Sequence, residues 1–389
     1  VSHNYNQPPV QDAPRRAESA NDAESANQVA TFDAKRFFPD QSLTGGQLPK
    51  YIDIATLVVS IAVAAGLLAL FGSFSIAGTV VLGVVLFLVA MYALAFSREG
   101  RRRALNRLMT YIVVGSFLLA LLPLVSLLAE VIVKGANRFD LQFFTETKQG
   151  IYGEALGGAA HAIVGTLIVT GLATLISVPI GLFAAIYLVE YGKGWLKKIL
   201  TFLVDVMTGI PSIVAGLFAY ALFSMIFGPG SKSGMAGAVA LSVLMIPYVV
   251  RNAEEILRLV PNSLREASYA LGVTKWRTIV KIVLPTSISG IVSGVILAIA
   301  RVIGETAPLL VTMGLTDAMV TNPMPGSNRP NPMTALPVLV YYERTRPGCP
   351  SQVYYDRAWT GALVLILIVM LLNIIGRVVA KRFAPKLNR

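Results

Sequence analysis

Apolar residues run along this chain in long blocks, and polar residues gather between them. A helix needs about 20 apolar residues to cross a bilayer. Blocks of that length, or close to it, lie at 52–73, 76–96, 111–133, 159–189, 200–227, 235–250, 286–312 and 359–380. The pattern predicts an all-α membrane protein, a polytopic bundle of about eight transmembrane helices. The sixth block is short enough to be partly re-entrant. Pro123, Pro179, Pro211, Pro247 and Pro308 interrupt the blocks. Membrane helices tolerate such breaks where neighbouring protein satisfies the freed backbone groups, so packed, functional helices are expected rather than simple anchors.

The first 50 residues differ. Stretches such as Gln11–Arg16 and Ala17–Asp22 carry little apolar content. They cannot bury enough surface to offset chain entropy, which predicts a disordered tail. The first apolar run begins only near Ile52, so the tail does not read as a signal peptide. Near the other end, 313–358 contains Asn322-Pro323, Pro325-Gly326 and Asn331-Pro332, which predict turns in an ordered loop. The expected organisation is a tail over 1–50, two helices over 51–97, and a membrane domain over 98–389. That last domain holds a polar hairpin at 261–285 and the long loop 313–358.

Composition agrees with the pattern. Hydrophobic residues make up 55% of the 389 and charged residues 14%, against roughly 25% charged in soluble chains. Mean hydropathy is +0.66. One cysteine, Cys349, excludes an internal disulfide, and two histidines, His3 and His161, are too few for a Cys/His zinc site. His161 is expected to pack rather than to catalyse.

The net charge of +12 needs placing. Basic residues concentrate in four segments: Arg98, Arg101, Arg102, Arg103 and Arg107; Lys193, Lys197 and Lys198; Arg251 to Lys281; and Arg377 to Arg389. Even numbers of spans separate these segments, so all four fall on one side, the cytoplasm by the positive-inside rule. Both termini are then cytoplasmic, in a multi-pass chain of the plasma membrane. The charge is topological, and nucleic-acid binding is not expected.

Between the sixth and seventh blocks lies Pro261-Asn262-Ser263-Leu264-Arg265-Glu266-Ala267-Ser268-Tyr269-Ala270-Leu271-Gly272. Ser263 and Glu266 have the spacing of a capping box. Leu264, Ala267, Ser268 and Leu271 share one narrow, small-residue helical face. Gly272 suits a C-cap, and Thr274 suits the cap of a second helix. Local rules therefore predict a capped helical hairpin.

The seventh block carries Arg301 and Glu305. Four residues apart, they fall on one helical face and can pair. An arginine at mid-membrane depth costs at least about 2.5–3.5 kcal/mol. Two readings stand: a structural ion pair that fixes packing, or an anion site in which the guanidinium fork binds phosphate or carboxylate. Gly304 and Pro308 let the helix loosen there.

Two stretches carry a family resemblance. Glu266, Ala267, Ser268, Gly272, Ile282, Leu284 and Pro285 match, with Ser268 in place of alanine, the cytoplasmic signature of membrane subunits of ATP-driven, binding-protein-dependent importers. The run Ala298 to Leu310 resembles the phosphate-specific branch of that family, the PstA permeases, as do Tyr187–Gly192, Pro211–Leu217 and Ser263–Gly272. The resemblance covers roughly 105–380. It implies a six-helix type I permease core preceded by two extra helices, in a permease for inorganic phosphate. It implies that the hairpin is a coupling helix that docks in a groove of an ATPase, with Arg265 and Glu266 fixing register. It also ties Arg301, Glu305 and Arg251 to phosphate passage. The implied partners are a sister permease (PstC-like), an ATPase dimer (PstB-like) and an external phosphate-binding protein (PstS-like). The chain departs from the family in residues 1–96 and in its long loop.

No Gly-x-x-x-x-Gly-Lys-Ser/Thr loop occurs in the sequence. No ATPase site and no cofactor are therefore expected in this chain, with ATP and magnesium bound by the partner. Three alternatives stay open: a permease for sulfate or molybdate, a secondary anion carrier working through Glu305, and a membrane enzyme acting on lipid phosphate. The last needs a His, Asp or Cys cluster that the sequence does not offer.

Overall fold

The apolar blocks fold as helices in the computed structural model, which describes residues 49, 51–71, 75–151, 156–326 and 330–383. The expected tail over 1–50 lies outside the described residues, Pro49 apart. Among the described residues, seven helices are long and apolar enough to cross a membrane, or eight if one bent pair counts as a span. The chain divides into two units, up to Leu122 and from Pro123 onward.

The first unit is built on α1 (Tyr51–Leu70) and α2 (Ile76–Glu99), with the first part of α3 (Arg101–Gly135). In α2 the residues Thr79, Gly83, Phe87, Met91 and Ala95 are buried at four-residue intervals. That spacing puts them on one stripe, which faces Ser60 and Ala64 of α1. Arg107 pairs with Asp53 at 3.2 Å and with Glu99 at 2.8 Å, and Phe87 meets Tyr111 edge to face at 5.2 Å. The basic segment 97–110 is thus almost wholly helical.

The second unit begins within α3 and contains the short α4 (Leu141–Thr145), α5 (Ala160–Ile186) ending in a π-turn (Tyr187–Tyr191), α6 (Gly194–Gly209), α7 (Ser212–Phe227) and α8 (Gly234–Leu259). Next come the hairpin arms α9 (Asn262–Ala270) and α10 (Lys275–Thr278). A second π-turn (Ile279–Val283) leads into α11 (Leu284–Val302), followed by α12 (Ala307–Thr312), α13 (Leu336–Thr345) and α14 (Ser351–Phe383). Its centre is α8, with 67% of its apolar window buried. Leu241, Met245 and Val249 of α8 pack with Val169 and Ala173 of α5, Ala298 and Val302 of α11, and Leu309 of α12. A second core, nearer the hairpin, joins Ile186, Leu188, Val204, Leu257, Ile279 and Val283.

Three spans differ from the sequence reading. The block 200–227 is not straight: α6 and α7 meet at 106°, because Ile210 is extended and Pro211 precedes the new helix. The block 235–250 is one continuous helix of 26 residues with Pro247 inside it, and it is not re-entrant. The block 286–312 breaks between Val302 and Ala307. Its second piece, α12, lies against α7, where a Cβ on Gly216 would stand 2.6 Å from Cα of Pro308; only glycine permits that approach. The loop 313–358 is ordered where described and carries α13 and the first turns of α14.

Candidate functional site

The bend between α6 and α7 and the break after α11 face one cavity. Met207, Thr208, Ile210 and Ser212 line it from the bend, Leu244 and Tyr248 from α8, and Arg301, Val302 and Glu305 from the break. Its volume is about 150 Å³, roughly ten times the space one water needs. Such irregular backbone is tolerated at membrane depth where it lines a cavity.

Arg301 and Glu305 both reach this cavity, but they do not form the ion pair of the first of the two readings. The four-residue rule requires an unbroken helix. Here the helix stops at Val302, and Glu305 donates its backbone N–H to the Val302 carbonyl at 3.1 Å in a turn. Arg301 instead lays its guanidinium over the Tyr248 ring, 4.6 Å from the centroid. Among the described residues the guanidinium takes no hydrogen bond or ion pair. Its place in the last turn of α11 also favours the cation through the helix dipole. Arg301 is exposed, and a cation–π contact at an exposed site is worth about 0.5–1 kcal/mol, less than the insertion cost of the charge. The edge of the guanidinium remains free to donate. Gly304 lies in the break, and Pro308 stands in the first turn of α12, where its missing N–H costs nothing.

Arg251 does not line the cavity. It pairs with Asp205 of α6 and, at 3.0 Å, with Glu254 of its own helix. Asp205 also accepts, through its carbonyl, the Thr208 hydroxyl at 2.6 Å. The arginine therefore ties α6 to α8 one turn from the cavity wall, and two carboxylates offset its charge.

The hairpin folds as two short helices, with local details that differ from the sequence reading. Helix α9 starts at Asn262 with Pro261 at the cap, and no side chain caps it. Ser263 and Glu266 thus form no capping box, since the helix begins a residue before Ser263. Thr274 stands at the cap of α10 without a side-chain bond. Gly272 does take the left-handed conformation at φ +75°, and the Val273 N–H donates to the Ser268 carbonyl at 3.2 Å, which closes the helix end.

The hairpin residues split between two faces. Leu264, Glu266, Ala267, Leu271 and Gly272 are exposed, together with Tyr269 and Trp276. Ser268 is buried and shares a 2.8 Å hydrogen bond with Thr278 of the other arm. Arg265 also turns inward, to Glu190. The single face expected from Leu264, Ala267, Ser268 and Leu271 is therefore divided, because Ser268 serves the joint between the arms.

His161 is 2% exposed, and neither ring nitrogen has a hydrogen-bond partner among the described residues. It lies at the end of α5 remote from the hairpin, as do the buried Arg357 and Glu343, which pair at 3.2 Å. Among the described residues no cluster of His, Cys, Asp and Glu could hold a metal ion.

Sequence reasoning missed Tyr248, Thr208 and Ser212 as cavity residues, and Glu190 as the partner of Arg265. An aromatic or hydroxyl residue inside an apolar block carries no periodic signal. Glu190 was legible as an acid at the end of an apolar span facing a basic hairpin.

A family profile described as "Binding-protein-dependent transport system inner membrane component" matches residues 177–389. The phosphate transport system permease protein PstA 1 of Mycobacterium tuberculosis (strain ATCC 25618 / H37Rv) is 46% identical over 276 residues, covering 70% of this chain and 87% of that one. The phosphate transport system permease protein PstA of Yersinia pestis is 40% identical over 290 residues, covering 74% and 93%. Among solved structures, the inward-facing MetNI methionine ABC transporter aligns at a TM-score of 0.44 and 20% identity, over 58% of this chain and 94% of the other.

Proposed function

The chain belongs to the binding-protein-dependent inner-membrane permeases, and within them to the PstA family of phosphate transport system permeases; from this we propose that it is the membrane-spanning permease subunit of an ATP-driven importer of inorganic phosphate. The observation that carries the substrate is Arg301, a cation with a free donor edge at the wall of a polar cavity. A tetrahedral oxyanion accepts two parallel N–H bonds from such a fork, and the Ser212 hydroxyl adds a donor from the bend. Glu305 offsets the charge before the anion arrives and opposes it afterwards. That balance gives a weak site, suited to passage rather than storage. Arg251 acts from outside the cavity by holding α6 in place.

Import against an inside-negative potential costs about 2.3 kcal/mol per charge per 100 mV, and a doubly charged phosphate about twice that. The energy comes from a separate ATPase that docks on the exposed hairpin face of Leu264, Glu266, Ala267, Leu271 and Gly272. Exposed Tyr269, Leu271 and Trp276 support this reading, since clustered apolar surface marks an interaction site. ATP and magnesium belong to that ATPase, and this chain carries no hydrolytic site of its own. One chain offers one hairpin, so an ATPase dimer requires a sister permease (PstC-like) that completes the path. An external phosphate-binding protein (PstS-like) delivers the ligand. The hairpin and both termini then face the cytoplasm, and α13 lies outside.

Uptake of labelled phosphate tests this in cells lacking and then regaining the chain, with phosphate scarce and sulfate or molybdate in excess. Restored uptake that ignores the competitors and collapses on ATP depletion is the expected result. Uptake that competes away assigns another oxyanion. Uptake that follows an ion gradient rather than ATP overturns the coupling.

A further inference from the structure

Three elements end at one buried carboxylate. Glu190 sits in the π-turn that closes α5, with its side chain 5% exposed. Arg265 of α9 donates to Glu190 Oε1 from Nε at 3.0 Å and from Nη2 at 2.8 Å. The same guanidinium donates to the Leu257 carbonyl at 3.0 Å, the Val260 carbonyl at 2.5 Å and Asn262 Oδ1 at 3.2 Å. It therefore caps the end of α8 while it holds α5. The second arm grips the same turn: Lys275 donates to the Glu190 carbonyl and lies 4.8 Å over the Tyr191 ring. The wider winding of a π-turn leaves backbone carbonyls away from their helical partners, and such turns gather at functional sites. Ser268 and Thr278 pin the two arms together.

From this geometry we infer that Glu190 is a positioning residue, the joint through which displacement of the hairpin moves the end of α5. The inference rests on the proposed ATPase docking, and it assigns Glu190 a role in transmission rather than in docking. An exposed pair would slip, because water competes for its bonds. This pair is largely shielded from water, and five donated bonds fix the guanidinium. Neither arm can shift relative to α5 without breaking charge-assisted hydrogen bonds. α5 in turn packs along α8, where Gly181 admits Val249 one residue from Tyr248. A displaced α5 therefore bears on the wall that holds Arg301. A purely structural pair would affect stability and leave the yield of transport per ATP unchanged.

The test uses the whole complex of permeases and ATPase, purified and reconstituted in vesicles with the external phosphate-binding protein. Phosphate moved is measured against ATP hydrolysed. Glu190→Gln keeps the shape and removes the charge. The ATPase should remain bound and hydrolyse ATP while phosphate moved per ATP falls about tenfold, the size expected for loss of hydrogen bonds to a charged group. Glu190→Asp keeps the charge with a shorter reach and should recover part of that yield; if the glutamine variant fails to assemble, an aspartate variant with the wild-type yield overturns the inference. An unchanged yield in Glu190→Gln overturns it as well. Loss of the ATPase from both variants overturns it differently, by making Glu190 a docking residue. A wild-type complex that moves no phosphate on ATP overturns the proposed function and this inference with it.

Discussion

Arg301 and Arg265 place the same guanidinium in opposite surroundings. Arg301 is exposed to a cavity and held by one aromatic face, its donor edge unengaged. Arg265 is half-buried against the end of α5, with five donated bonds and a carboxylate partner. A planar cation can bind a passing anion only if its donors are unspent, and it can transmit a displacement only if they are all committed. Arg251 and Arg357 are also paired with carboxylates, though each commits only part of its donors. Among these four cations, Arg301 alone takes no hydrogen bond or ion pair among the described residues.

The sharpest way to break the comparison is Arg301→Gln. It keeps a hydrogen-bond donor but removes the charge and the fork. Labelled phosphate uptake should fall to background while the complex assembles at normal levels on immunoblot. Arg301→Lys should recover little, since a point charge cannot make two parallel bonds. Normal uptake in Arg301→Gln would return Arg301 to a packing role. Arg265→Ala should act on stability as well as on coupling. Leaving the Glu190 carboxylate buried and unpaired costs about 3–5 kcal/mol. The unfolding midpoint of the purified complex should therefore drop clearly, whereas Arg301→Gln should hardly move it. Equal midpoints for the two variants would erase the distinction between a free and a committed cation.

Both arginines were legible in the sequence; their surroundings were not. Arg301 stood out because a charge in an apolar block is costly, and the spacing to Glu305 suggested a pair. That suggestion failed after Val302, where the chain leaves the helix, and hydropathy does not register a turn. The same blindness merged α6 and α7, since Ile210 and Pro211 are as apolar as their neighbours while the axis turns through 106°. The hairpin was legible as a hairpin, and Gly272 as its turn, because few residues adopt a positive φ without strain. Its helix cap was misjudged by two residues, Ser263 for Pro261, which sufficed to dissolve the capping box. The inward turn of Ser268 and Arg265 depends on Thr278 and Glu190, which lie 10 and 75 residues away, beyond the reach of local rules.

A finer probe of the Arg301 side is Tyr248. Replacing the ring with an aliphatic side chain, Tyr248→Leu, removes a contact of about 1 kcal/mol and leaves the guanidinium free to swing away from the cavity wall. Uptake should fall about fivefold, the factor that such an energy corresponds to. Tyr248→Phe keeps the aromatic face and should transport within about twofold of the wild type. A phenylalanine variant as poor as the leucine variant would show that the hydroxyl, rather than the face, serves the cavity.

The smallest expected effect lies on the Arg265 side, at Gly272. Its φ of +75° closes α9 and sets the angle between the hairpin arms, and no atom lies within 4 Å of where a Cβ would stand. Gly272→Ala therefore meets no steric clash and carries only the backbone penalty, about 1–2 kcal/mol for a left-handed residue. Gly272→Asn should cost less, because asparagine tolerates that conformation. Phosphate moved per ATP should thus decline in the order glycine, asparagine, alanine, with the ATPase still bound in all three. A reversed order, with alanine above asparagine, would mean that the turn binds something that the larger side chain blocks, and that the exposed face of the hairpin extends across Gly272. The backbone reading and the contact reading thus differ in the rank of two conservative variants, which makes a modest effect informative about where the committed joint ends and the docking face begins.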